Sequence, residues 1–100
     1  MKLGILVNTD AHLDDILGVI SAALTRGHTV TVFTMDRGTR LLLDPRFSGL
    51  CDRGCVAMSF CEHSAQEEGV ATEGLPRAIV CGSQYDNAIM VHNSDKVIIL

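Results

Sequence analysis

Cys61 is the residue whose type and position could do chemistry most readily. It closes an apolar run, and Ser64 and Glu67 after it match a capping box, in which each side chain satisfies a free backbone N–H at a helix start. Such N–H groups, together with the helix dipole, stabilise a thiolate, which is the reactive form of cysteine. His63 could add a positive charge or pass a proton, while the neighbouring glutamates oppose ionisation. The pattern predicts a nucleophilic thiol at Cys61, supported by His63 and Ser64.

The same thiol also has a structural interpretation, because free cysteine is among the most buried residue types. In that interpretation Cys61 only fills the end of a strand, and the residue pattern alone does not choose between the two. Cys81 is a possible second thiol, since it precedes another helix start at Gly82 and Ser83, where we expect Ser83 to be the N-cap. It too could be a buried apolar side chain.

The cysteines also raise the question of a metal site. On paper, a zinc site could be assembled from Cys51, Cys55, Cys61, His63 and Cys81. The spacing matches the paired knuckles of structural zinc sites poorly, so we expect no metal. No glycine-rich phosphate loop follows the first apolar run, which speaks against a dinucleotide cofactor.

The elements that must position these residues alternate between strand and helix. Apolar or β-branched runs predict strands at residues 2–8, 28–35, 55–61, 79–81 and 96–100. Helical spacing predicts helices over 13–24, ended by Gly27, and over 83–92, with shorter helical segments at 38–43, at 47–52 and after Ser64. We therefore predict a single domain over residues 1–100 with a three-layer α/β/α fold. Its sheet should be mostly parallel, with four to five strands and right-handed crossovers.

The carboxyl ends of the strands are the expected place for a site, because helix N-termini point there in parallel sheets. The loops that qualify are residues 8–12, 35–38 and 61–64. The residues expected to line a pocket with Cys61 are Asn8, Thr9, Gly82, Ser83 and Tyr85.

Composition excludes several classes of partner. Eight Lys and Arg are dispersed along a chain of net charge −4, so we expect no nucleic-acid surface. No apolar run approaches the ~18 residues of a membrane helix, and the first one is too short for a signal peptide, so we expect a cytoplasmic protein without a membrane partner. A hydrophobic share of 47% in 100 residues favours a homo-oligomer, because a small core cannot bury that much apolar surface.

The sequence resembles the DsrE/DsrF-like family, which includes sulfur-relay proteins and YchN-like proteins. No single motif carries this resemblance; it depends on several short motifs that follow one another in the family's order. The similarity rests on four stretches, residues 2–7, 26–30, 56–69 and 94–99, and extends over essentially the whole chain. Members of the family typically have a fuller segment between the second and third strands. The resemblance implies a small α/β protein that assembles into trimers or hexamers.

The resemblance also implies a function. In the sulfur-relay members a cysteine after a central strand carries a persulfide, and Cys61 matches that position. The implied activity is that of a sulfurtransferase-like carrier, which takes sulfane sulfur from a donor protein and passes it to an acceptor protein without a cofactor. Two alternatives remain open at this point: a non-catalytic structural or regulatory subunit with no reactive cysteine, and a module that binds zinc or a small molecule. We favour the sulfur carrier.

Overall fold

Near-continuous runs of aliphatic and β-branched residues form a five-stranded sheet in the computed structural model, which describes all 100 residues. The strand order is β4-β3-β2-β1-β5, and every neighbouring pair is parallel. The strands are β1 Lys2–Val7, β2 Thr29–Thr34, β3 Val56–Cys61, β4 Ile79–Gly82 and β5 Lys96–Ile99. The predicted α/β fold and its five strands are therefore confirmed.

Helical segments make the connections between the strands. The α-helices are α1 Leu13–Thr25, α2 Pro45–Ser48, α3 Glu62–Glu67 and α4 Gln84–Asn93, and two 3-10 helices cover Asp36–Leu43 and Gly49–Asp52. The helix over 13–24 ends as predicted, with Gly27 in the left-handed region at a φ of 81°. None of the helices has the length and apolar character needed to cross a membrane.

The direction of the crossovers divides the helices between the two faces of the sheet. The first three connections lead from β1 to β2, β3 and β4 in one direction, whereas the fourth leads back across the sheet to β5. Because such crossovers are right-handed, a reversal of direction places the helix on the opposite face. We call the side that packs against α1 and α3 the first face, and the side that packs against α4 the second face.

Most of the hydrophobic core lies on the first face. There Ile16 and Ile20 of α1 pack with Ile5 and Val32, and Ala65 of α3 joins the same cluster of 17 buried residues. The second face has a cluster of only three buried residues, Phe33, Cys61 and Met90. The two faces are therefore unequally covered.

The second face is left partly bare because one helix cannot cover it. A helix is roughly 10 Å across, whereas five strands span roughly 19 Å. Large apolar side chains are consequently exposed on α4 and on the strands either side of it: Val80, Tyr85, Ile89, Val91, Val97 and Ile99. We call these six residues the apolar patch.

The segment after β2 is held tightly over the end of β1. The Met35 N–H donates to the Val7 carbonyl at 2.9 Å, and Asp36 has a φ of 48°, so the chain turns sharply into the first 3-10 helix. Gly38 is buried against β1, where an added Cβ would overlap the Val7 carbonyl oxygen. Only glycine fits this close approach without moving backbone.

We expect Gly38→Ala to lower the free energy of unfolding by about 1–3 kcal/mol, because the backbone must shift to accommodate the methyl group. The matched control is Gly18→Ala in α1, where an added Cβ meets nothing within 4 Å. Gly18→Ala should raise the free energy of unfolding by about 0.5–1 kcal/mol, because alanine has a higher helix propensity than glycine. Urea unfolding of the two variants measures both effects, and equal stabilities would contradict the packing described for Gly38.

Candidate functional site

The carboxyl ends of β3 and β4 form the point at which the sheet topology switches. After β3 the chain enters α3 on the first face, and after the neighbouring β4 it enters α4 on the second face. Where two adjacent strands send their chains to opposite faces, a crevice opens between the loops, and open α/β sheets bind ligands there. Cys61 and Gly82, which are partners in the β3–β4 register, lie at this point.

Cys61 itself is the N-cap of α3, which corrects the prediction of a capping box from Ser64 to Glu67. The helix begins at Glu62, directly after the strand, and Cys61 has the extended backbone of an N-cap at φ −80° and ψ 115°. Ser64 lies inside the first turn and is buried. The helix starts early because Cys61 already supplies the extended conformation at the strand end. The thiol is therefore nearer to the free N–H groups than the sequence pattern suggested.

The surroundings of Cys61 favour its thiolate. Burial raises the pKa of this thiol, but the hydroxyl and backbone N–H of Ser64, the side-chain amide of Gln84 and the backbone N–H of His63 outweigh burial and lower the pKa overall. The Cys61 side chain makes no N-cap hydrogen bond to α3, so these groups favour the thiolate from nearby positions rather than through a capping bond to Sγ. The pKa of Cys61 is therefore lowered, whereas the pKa values of Cys51 and Cys81 are raised.

Access to the thiol is restricted. Cys61 is only 5% exposed and packs with Phe33 and Met90, with Met35 partly covering the cluster. The start of α4 closes the other side, where the Ser83 hydroxyl accepts from the Tyr85 N–H and the Asp86 carboxylate accepts from the Ser83 N–H. The predicted role of Ser83 as N-cap is thus confirmed.

Cys81 is in a different environment from Cys61. Phe60 is paired with Cys81 and Cys61 with Gly82, and successive side chains of a strand point to opposite faces. Cys81 therefore projects on the first-face side of the edge strand, away from the side that Cys61 faces. Burial raises the pKa of Cys81, as do the charge and hydrogen bonding of the Glu62 carboxylate and the nearby Cys61.

This placement bears on the possible second thiol. A disulfide requires two Cβ atoms that face each other, and the thiols of Cys61 and Cys81 project from opposite faces. All four cysteines are free thiols in this structure. The two thiols are therefore not arranged to form a disulfide with each other in this structure.

The other predicted site residues are dispersed. The His63 imidazole is exposed and pairs with Glu67 at 3.7 Å, so His63 meets Cys61 through its backbone N–H. Thr9 hydrogen-bonds weakly to the Leu100 carbonyl at 3.4 Å, and Asn8 is half-buried in the same loop. Tyr85 is 72% exposed. Of the proposed pocket residues, Gly82 and Ser83 are those that the fold brings to the switch point.

A cleft of about 420 Å³ lies elsewhere, on the second face beside α4. Its walls come from β1, β2, β3, β4 and α4, and they include Thr31, Ser59, Val80 and Ile89. Neither Cys61 nor any of the five predicted pocket residues lines this cleft. It is part of the bare region of the second face.

The residues considered for zinc are not brought together. No three His, Cys, Asp or Glu side chains cluster in a way that could hold a metal ion. Burial raises the pKa of the Cys51 thiol, as does the charge of Asp52, so this cysteine is kept protonated. Cys51 and Cys55 flank the turn before β3 rather than the site at its end.

Two residues at the site were not among the individual residues predicted, Met35 and Gln84, although Met35 begins the expected loop 35–38. Met35 packs against the cluster that contains Cys61 because the chain turns sharply at Asp36, and this left-handed backbone at a non-glycine residue leaves no sequence signal. Gln84 is the first residue of α4, so the predicted helix start at Ser83 was a usable signal that it faces the end of β3.

The complete arrangement of strands and helices is shared with proteins of known structure. The ychN protein from E. coli matches with a TM-score of 0.80 over 100% of both chains, at 17% sequence identity. The chain has the fold of YchN. The fold expected from the resemblance to the DsrE/DsrF-like family, with its YchN-like proteins, is therefore confirmed. Identity this low establishes the fold alone.

A second protein of known structure also shares the fold of this chain. MTH1491 from Methanobacterium thermoautotrophicum, a protein of unknown function, matches with a TM-score of 0.78 at 12% identity. The match covers 99% of this chain and 98% of the other. No family model matches the sequence, and no curated protein does so either.

We expect the cysteines to ionise in a fixed order as pH rises. Cys61 should reach half of its maximal alkylation rate at a lower pH than Cys51 and Cys81, because its pKa is lowered and theirs are raised. Iodoacetamide labelling across a pH series, read by peptide mass spectrometry, gives the midpoint for each thiol. Midpoints are compared rather than rates, since burial slows Cys61 at every pH.

The control for this order is Ser64→Ala, which removes one donor from Cys61 and leaves Cys51 and Cys81 unchanged. The Cys61 midpoint should move to higher pH in this variant. A Cys61 midpoint at or above that of Cys81 in the wild-type protein would contradict the electrostatics described for the site.

Proposed function

We propose that this protein is a sulfur carrier, which holds sulfane sulfur as a persulfide on Cys61. The observation that carries the proposal is the pairing of a lowered Cys61 pKa with its place at the switch point between β3 and β4. Nucleophilic attack on sulfur requires a thiolate, and a thiolate here is supported by donors that the fold already provides. The resemblance to the DsrE/DsrF-like family supports the same activity.

The transfer needs no external oxidant. The Cys61 thiolate attacks the outer sulfur of a donor persulfide, the new S–S bond forms at Sγ, and the S–S bond of the donor breaks. The donor leaves as a thiolate, and Cys61 becomes Cys61–S–SH. An acceptor thiolate then attacks the outer sulfur, which restores the Cys61 thiolate and leaves a persulfide on the acceptor.

Both exchanges take place between molecules. Cys81 faces the other side of the sheet, which supports an acceptor thiol from another molecule rather than from the same chain. Because Cys61 is only 5% exposed, a donor or acceptor must displace the side chains over it, such as Met35. We infer that a sulfur donor protein and a sulfur acceptor protein dock in turn at the carboxyl end of β3.

We further propose that the apolar patch is where copies of this chain assemble, as a trimer or hexamer. Val80 and Ile89 are 53% and 40% exposed beside the same cleft, and α4 carries two more exposed apolar residues. A stable interface takes about 800 Å² from each partner, a modest share of the 5598 Å² that the chain exposes. A second copy over the second face would complete the layer that α4 leaves unfinished.

The burial of Cys61 favours a second candidate function. A thiol this enclosed suits a structural or regulatory subunit, in which the cysteine only fills the second face behind Met90. The two functions differ in whether Cys61 accepts sulfur.

Intact-mass spectrometry after brief exposure to polysulfide separates them. We expect a gain of one sulfur atom that a reductant removes. The gain should disappear in Cys61→Ser and persist in the matched variant Cys81→Ser, because the pKa of Cys61 is lowered and that of Cys81 is raised. An unmodified wild-type protein, or equal labelling of every cysteine, would favour the structural subunit.

The oligomer has its own test. The wild-type chain should sediment as a trimer or hexamer in analytical ultracentrifugation, and Ile89→Glu should dissociate it by placing a charge in the apolar patch. Leu43→Glu is the matched control, since Leu43 is 58% exposed but lies on the first 3-10 helix, outside the patch. A monomeric wild-type protein, or equal dissociation by both variants, would refute the proposed interface.

A further inference from the structure

The side chain of Gln84 joins three elements around Cys61. Its Nε2 donates to the Sδ atom of Met35 at 3.7 Å, and its Oε1 accepts from Nδ2 of Asn87 at 3.3 Å. Met35 packs against the cluster that contains Cys61, and Gly82, two residues before Gln84, is paired with Cys61 in the sheet. The amide therefore lies between the start of α4, the end of β2 and the end of β3.

The hydrogen bond from Asn87 fixes which end of the Gln84 amide faces the sulfur atoms. Because Oε1 is occupied by Asn87, the Nε2 group is the end that points toward Met35, whose side chain packs against the cluster that contains Cys61. A thioether is a weak acceptor, so the contact with Met35 satisfies this donor poorly. Gln84, an exposed residue, thus keeps an N–H group available beside the cluster that contains Cys61.

We propose that Gln84 is a catalytic residue of this site, whose amide N–H stabilises the anionic sulfur on Cys61, and that Asn87 is the positioning residue that holds the amide in this orientation. The inference rests on the proposed sulfur-carrier function. Hydrogen bonds to an ionised sulfur are stronger than those to a neutral one. The hydrogen bond from the Gln84 N–H therefore becomes stronger when Cys61 ionises before its attack. It becomes stronger again when the acceptor thiolate removes the outer sulfur and regenerates the Cys61 thiolate.

Gln84 and Asn87 occupy successive turns of α4, whose start is fixed by the capping box between Ser83 and Asp86. Asn87 is half-buried, and its Oδ1 has no hydrogen-bond partner, so Nδ2 is its only side-chain link. That link is to Gln84. The pair is therefore a small polar unit on a helix end that directs one N–H group at sulfur.

The test measures alkylation of Cys61 by iodoacetamide as a function of pH. Gln84→Leu should slow alkylation at neutral pH about three- to tenfold and move the midpoint to higher pH, because one hydrogen bond to the thiolate is lost. Gln66→Leu is the matched control, since Gln66 is an exposed residue of α3 and makes no side-chain hydrogen bond. It should leave the Cys61 profile unchanged.

Asn87→Asp tests the orientation of the amide. A carboxylate at position 87 repels Oε1 of Gln84 and draws Nε2, so the amide turns its oxygen toward Cys61 and the midpoint rises. Asn93→Asp adds the same charge at the far end of α4 and should have little effect. In the Gln84→Leu background the effect of Asn87→Asp should shrink, because the two residues act through one amide.

Each result decides the proposal. A Cys61 profile that is the same in Gln84→Leu and in Gln66→Leu would overturn the role of Gln84. An effect of Asn87→Asp that stays full size without Gln84 would overturn the positioning role of Asn87. Alkylation reports the thiolate whether or not Cys61 takes sulfur, so a failure of the carrier function in the polysulfide experiment remains distinguishable from a failure here.

Discussion

The reversal of the chain after β4 is the constraint on which the rest of the molecule depends. Three crossovers build the sheet outward in one direction on one face, and the fourth must return over the opposite face to place β5 beside β1. That single return creates the switch point at the carboxyl ends of β3 and β4, where Cys61 and Gly82 lie, and brings the start of α4 to it. It also leaves one helix to cover the whole second face. The candidate site and the apolar patch are therefore two consequences of the same connection.

The candidate site combines two properties that normally oppose each other. Burial disfavours a charged sulfur, yet Cys61 is buried and has a lowered pKa because donors from α3 and α4 surround it. The donors are fixed by backbone position: Cys61 is the N-cap of a helix that begins where its strand ends. Cys81, on the neighbouring strand, has a raised pKa instead, because burial and the Glu62 carboxylate both disfavour its thiolate. The fold therefore distinguishes two cysteines that sequence alone presents as similar.

The sequence predicted the elements that have local signals. These elements depend on residues that are neighbours in the sequence, and the structure contains each of them. They are the apolar strand runs, the left-handed end of α1 at Gly27 and the N-cap at Ser83. The capping box at Ser64 was wrong because Cys61 already supplies the extended N-cap conformation, so the helix forms earlier. The sequence placed Met35 in an expected loop and Gln84 at a predicted helix start, but it could not assign either side chain to the surroundings of Cys61. Their approach depends on the turn at Asp36 and on the β3–β4 register, and neither of these has a local pattern in the chain.

The central claim is that sulfur is carried on Cys61 at the switch point of the sheet. A crystal structure of the protein after reaction with polysulfide tests it most directly. The account predicts electron density for one additional sulfur atom bonded to Cys61 Sγ, on the second face of the sheet and near Met35 and Gln84. Density for the added sulfur on Cys81, or an unmodified Cys61 in a protein that has reacted elsewhere, would contradict it.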